Sequence, residues 1–116
     1  VADRGDPATR GRTVVVDRVY ERTARLAALR TAGVVRHRTG VEALAGRTLP
    51  RVEIRRSGER VRVRVQVALA WPTPVGRTTA AVRDDVAATL TRVTGATVDA
   101  VDVTVTHLEP QDRRTT

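Results

Sequence analysis

The segment Arg51–Pro74, RVEIRRSGERVRVRVQVALAWPTP, constrains this chain more than any other. Val52 and Ile54 alternate with Glu53 and Arg55, RSGE turns the chain, and Val61, Val63, Val65, Val67 and Leu69 alternate with Arg62, Arg64, Gln66, Ala68 and Ala70. Strand side chains repeat every second residue, so this is a β-hairpin with one face buried. The outward set changes from arginine near the turn to alanine near Trp71, which implies that the far end is covered on both faces. Pro72 and Pro74 cannot donate to a ladder and end the strand; Thr73-Pro74 fits an N-cap followed by proline in the first helical turn.

Helical periodicity follows. Val75, Thr79, Val82, Val86, Leu90 and Val93 recur at three- and four-residue spacings, and Gly95 supplies the stop. The last strand reads TVDAVDVTVTHL, with Val101, Val103 and Val105 on one face and Asp102, Thr104 and Thr106 on the other. A strand, a helix and another strand make a crossover, so this strand is expected parallel to the long hairpin strand. Upstream, the β-branched run RTVVV at 12–16 reads as a short strand. Asp17 stands as the cap of a helix over Arg18–Thr31, and Gly33 closes it. Val34–Pro50 reads as a short strand and a loop.

These elements give the order β-α-(β)-β-β-α-β and an α+β two-layer sandwich, one mixed sheet with both helices on its valine face. At 116 residues the length fits one domain. Residues 12–109 are expected to form it, with 1–11 and 110–116, rich in Pro, Gly and charge, as disordered tails.

The order and spacing of these features resemble the alkaline shock protein family of bacterial envelope stress response and general stress proteins. The resemblance rests on Val82, Val86, Thr94-Gly95, Val98, Val101, Val103 and Val105, and on TVVVDRVYERTARLAALRTAGV at the front. It covers Thr13 to Leu108. The chain departs from the family at Trp71 and Asp102, where glycine and asparagine are frequent. The resemblance implies a non-enzymatic cytoplasmic protein that binds protein partners, is held at the inner membrane face by a separate anchor protein, and self-associates as a homo-oligomer.

The chemistry that the residues offer agrees with a non-enzyme. Cysteine is absent, which removes disulfides, thiolate nucleophiles and Cys-ligated zinc. His37 and His107 stand seventy positions apart, outside any ligand-spaced motif, and read as a loop and a strand-end residue. Asp84 and Asp85 point apart on a helix and read as solvated charge. No catalytic, metal or cofactor residues are assigned. No apolar run approaches the roughly 20 residues of a membrane helix.

The net charge of +8 comes from 21 basic residues, all arginine, in a chain rich in Ala, Val, Thr and Gly. High-GC codon usage produces that pattern, so the arginine excess is read first as composition. Nucleic-acid binding through Arg55, Arg62 and Arg64 is the alternative function. It is disfavoured because their face carries no aromatic residue for base stacking and no GxxG loop is present. Those three arginines and Trp71 are the candidate interaction residues, with Trp71 placed by alternation on the core side beside Val67 and Leu69.

Overall fold

The computed structural model of the chain describes residues 7–37 and 48–111. Helix α1 (Pro7–Arg30) leads to β1 (Val34–Val35), the hairpin strands β2 (Arg51–Ser57) and β3 (Arg60–Trp71), helix α2 (Val75–Thr94) and β4 (Thr97–Pro110). The hairpin turns on Gly58-Glu59, with Gly58 at φ +61° and Ser57 opposite Arg60. Alternation sets the two faces as expected. Val52, Ile54 and Arg56 oppose Val65, Val63 and Val61 on the helix side, while Arg51, Glu53 and Arg55 oppose Gln66, Arg64 and Arg62 on the other.

β3 is the central strand. β2 and β1 pair antiparallel along one of its edges, and β4 runs parallel along the other, so the sheet is mixed and β4 is parallel to β3 as expected. Both helices lie on the valine face. The core joins Val61, Val63, Val65, Val67 and Leu69 of β3 to Val82, Val86 and Leu90 of α2, and to Ala24, Ala27 and Ala28 of α1, all buried. The three alanines let α1 approach the sheet closely, so stability comes from many small contacts, each fully buried Val or Leu contributing about 1.5–3 kcal/mol.

Three local expectations are corrected. The run at 12–16 is not a strand: α1 begins at Pro7, inside the segment expected as an N-terminal tail, and passes through Asp17 without a break. Valine in a helix costs less than about 0.7 kcal/mol against alanine, so packing decides. Here Val16, Tyr20, Thr23, Ala24, Ala27 and Thr31 share one face at three- and four-residue spacings, all at least partly buried. Asp17, expected as a cap, instead accepts a 2.6 Å hydrogen bond from Arg56 Nε of β2, whose guanidinium also lies 5.5 Å from the Tyr20 ring centroid.

At the start of α2, Pro74 rather than Thr73 holds the cap position, with no side-chain capping bond. Thr73 Oγ1 instead lies 3.3 Å from Thr78 Oγ1. Thr78 takes the buried place in the stripe next to Val82, and Val93 is exposed. The stop at Gly95 is as expected: φ is +74° and its N–H donates to Thr91 O at 2.9 Å. The C-terminal segment 112–116, expected as part of a tail, and residues 38–47, within the segment expected as a short strand and a loop, lie outside the described residues.

Candidate functional site

With both helices on one side, the other face of the sheet carries no helix among the described residues, and its side chains form three zones along β3. Near the turn, Arg55 and Arg62 stand directly opposite each other. A like-charged cross-strand pair is destabilising in water. Next comes Arg64, whose register neighbours are both acids, Glu53 on β2 and Asp102 on β4. Arg60, at the start of the strand, is held by both carboxylate oxygens of Asp99 at 2.6 and 3.0 Å. Acids thus stand beside Arg60 and Arg64, whereas Arg55 and Arg62 face each other as a cationic pair.

The third zone was hidden in the sequence. Ala68 points to the bare face yet is fully buried, as the change from arginine to alanine suggested. Its cover is a stack of His37 and His107, ring centroids 3.8 Å apart and 24° from parallel. Two features bring them together. β1 sets Val35 beside Ala68, which carries His37 onto the bare face two residues later. On the other side, β4 has a register shift: Val105 pairs with Val67 but His107 pairs with Ala68, leaving Thr106 as the extra residue. Strict alternation from Val101, Val103 and Val105 would send His107 to the helix side. The bulge turns it, and Glu109 after it, to the bare face.

Glu109 closes the cluster. His107 Nε2 donates to Glu109 Oε2 at 3.1 Å, and His37 Nδ1 lies 3.6 Å from Glu109 Oε1. The His107 hydrogen bond, aided by the charge of both imidazoles when protonated, holds the Glu109 carboxyl below its usual value of 4.5. His37 is almost covered, its side chain 9% exposed, whereas His107 and Glu109 are partly open to solvent. The readings of His37 as a loop residue and His107 as an isolated strand end are thus replaced by one polar cluster.

Trp71 is also corrected. Its position does carry it to the helix side, but the side chain is 49% exposed. Alternation assigns a face without saying how far the covering layer reaches, and α2 begins only at Val75, after the chain has left β3. Leu108, opposite Leu69, and Pro110, opposite Trp71, share that face and are exposed as well. Trp71, Leu108 and Pro110 form an apolar corner where β3 and β4 end. Of the two acids in α2, Asp84 is exposed, while Asp85 accepts a 2.7 Å hydrogen bond from Thr31 Oγ1 that ties α2 to the end of α1.

These features define a two-layer α+β module with one helix-covered face and one bare, charge-patterned face. The chain belongs to the alkaline shock protein 23 family, a family of cell envelope-related function, whose model matches residues 5–110. No curated protein matches the sequence. Among solved structures, the zinc form of a MamM CTD single-residue variant is similar at a TM-score of 0.51 and 13% identity, covering 82% of this chain and 86% of that one. A second MamM CTD single-residue variant gives 0.50 at 13% identity, over 78% of this chain and 95% of that one. At such identity the likeness is one of fold. Among the described residues no helix is long and apolar enough to cross a membrane.

Proposed function

We propose that this chain is a non-enzymatic interaction module of the bacterial envelope stress response, which binds protein partners at the cytoplasmic side of the membrane and reaches it through an anchor protein. The observation that carries this reading is the apolar corner of Trp71, Leu108 and Pro110, held in the open by the ends of two paired strands. Tryptophan is enriched among residues that dominate binding energy, and an exposed one beside leucine and proline offers a rigid anchor. The corner adjoins the outer edge of β4, which pairs only with β3 among the described residues. An incoming strand could add there, so the same edge supports self-association.

The family's cell envelope-related function fits such a role. The nucleic-acid reading is weaker, because Arg64 and Arg60 already have acidic neighbours. A photo-crosslinking residue placed at Trp71, compared with one at Glu53 on the bare face, tests the proposal in intact cells. A discrete protein adduct in the membrane fraction from position 71, lost when Leu108→Ser is added, is the expected result. Adducts from position 53 alone, or adducts to nucleic acid, would overturn it.

A further inference from the structure

The cluster on the bare face has the composition and spacing of a metal site. His37, His107 and Glu109 each offer one ligand atom, and these atoms lie within 4.8 Å of one another. In a tetrahedral zinc shell with metal–ligand distances of about 2.0–2.1 Å, neighbouring donor atoms are separated by roughly 3.4 Å. His107 Nε2 lies 3.1 Å from Glu109 Oε2 and His37 Nδ1 lies 3.6 Å from Glu109 Oε1, separations on either side of that value but to different oxygens of the one carboxylate. The donor atoms are gathered but the rings are stacked, so binding an ion turns the rings out of the stack and presents one Glu109 oxygen between their nitrogens.

The surrounding fold supports the arrangement. Ala68 leaves room above β3 for two rings, and the bulge at Thr106 places both β4 donors on the side where His37 arrives. His37 is nearly buried, and its backbone is fixed by mutual hydrogen bonds with Leu49, N–H to O at 3.3 Å and O to N–H at 3.0 Å. A donor so held loses little freedom on binding. On this face the ladder places Arg64 four residues along β3 from Ala68, between its two acids, and Arg51 opposite Gln66, two residues from Ala68.

We propose that His37, His107 and Glu109 bind one divalent transition metal ion of the zinc class on the bare face of the sheet. Two imidazole nitrogens and one carboxylate select zinc, copper, nickel or cobalt over magnesium and calcium, which prefer oxygen shells. Three protein ligands leave a fourth position for water or for a donor from another molecule. The ion ties the chain after β1 to the end of β4 across β3, adding to the ring stack and the His37–Glu109 contact that already join these two segments. This inference stands apart from the docking corner and does not depend on it.

The test uses the full chain free of any affinity tag, titrated with zinc chloride in a non-chelating buffer near neutral pH, with bound metal counted by elemental analysis after dialysis. The expected result is one zinc per chain, a rise in melting temperature with zinc, and indifference to excess magnesium and calcium. His107→Ala and Glu109→Gln each weaken binding by at least about tenfold and abolish the thermal shift, while their circular dichroism stays that of the wild type. Cobalt gives the visible absorption of a four-coordinate ion in the wild type and not in His107→Ala. If His107→Ala fails to fold, Glu109→Gln, an exposed conservative change, carries the comparison. No stoichiometric zinc uptake, uptake unchanged in Glu109→Gln, or displacement by magnesium at similar concentration would each overturn the proposal.

Discussion

Val63 and Arg62 are neighbours on β3 with opposite fates, and substituting them tests the face assignment on which every surface described above depends. Val63 is fully buried between Ile54 and Val101 and belongs to the cluster that contains Val82 and Val86. Val63→Ala removes two buried methyl equivalents at about 0.8 kcal/mol each, and the residual cavity raises the loss to about 2–3 kcal/mol. At roughly 4–8 °C per kcal/mol for a domain near this size, the melting temperature falls by on the order of 10–20 °C. Val63→Asp adds an unpaired carboxylate in an apolar site, a further cost of several kcal/mol. The total reaches the roughly 5–15 kcal/mol of a whole domain, so that variant does not fold cooperatively. Arg62 is exposed and faces Arg55. Arg62→Glu exchanges a repulsive cross-strand pair for an attractive one, and stability changes by less than about 1 kcal/mol, in the favourable direction. Urea titration followed by circular dichroism, with thermal melts in parallel, measures all three variants. Equal losses for Val63→Ala and Arg62→Glu would show that the faces are wrongly assigned.

Gly33 has φ +95°, and a Cβ there would meet Thr73 Oγ1 at 3.1 Å and Thr78 Cγ2 at 3.2 Å, whereas Gly58 at φ +61° faces open space. Gly33→Ala therefore destabilises the fold by more than Gly58→Ala, which costs about 1–2 kcal/mol through backbone strain alone; melts of the two that coincide would contradict this. The Glu109 carboxyl is held below its usual 4.5. Its stabilising contribution is present above that value and is lost as pH falls through the lowered folded-state value. Wild type thus melts above Glu109→Gln at neutral pH, and the gap closes in acid below 4.5; a gap independent of pH would refute the assignment. Random single-stranded RNA or DNA binds weakly and is released by about 0.15 M salt, because the arginines of this face are few and interspersed with acids, and so neutralise few phosphates. Submicromolar retention at that salt, lost in an Arg55, Arg62 and Arg64 triple-Glu variant, would favour the nucleic-acid reading.

What the sequence disclosed followed from how local each signal is. The valine alternation in β3, the SG turn, the Val82, Val86 and Leu90 stripe of α2 and the left-handed Gly95 are written in consecutive residues, and all appear where expected. The RTVVV run carries a β-branched preference that points to a strand, while the packing of Val16 and Tyr20 and the reach of Arg56 across from β2 favour helix. Trp71 misled because periodicity gives a face and not the extent of its cover. The histidine cluster was illegible for a third reason. One skipped residue in β4, without glycine or proline to announce it, reverses the direction of His107, and its partner arrives from seventy positions away. The only local trace was the change from arginine to alanine at positions 68 and 70. It indicated cover but not what supplied it.

The position of β3 has a consequence for how the sheet holds together. Among the described residues β1, β2 and β4 each pair with β3 and none pairs with another of the three. The sheet is connected as a star, with one hub and three spokes, rather than as a ladder in which each strand leans on the next. A ladder can lose an outer strand and keep a smaller sheet, and so it has stable fragments. A star has no fragment that excludes its hub. Loosening any spoke leaves the rest bonded, but releasing β3 dissolves every strand pairing at once. Chain cleavage or strand exchange within Arg60–Trp71 is therefore equivalent to global unfolding, whereas the same event in a peripheral strand need only be local.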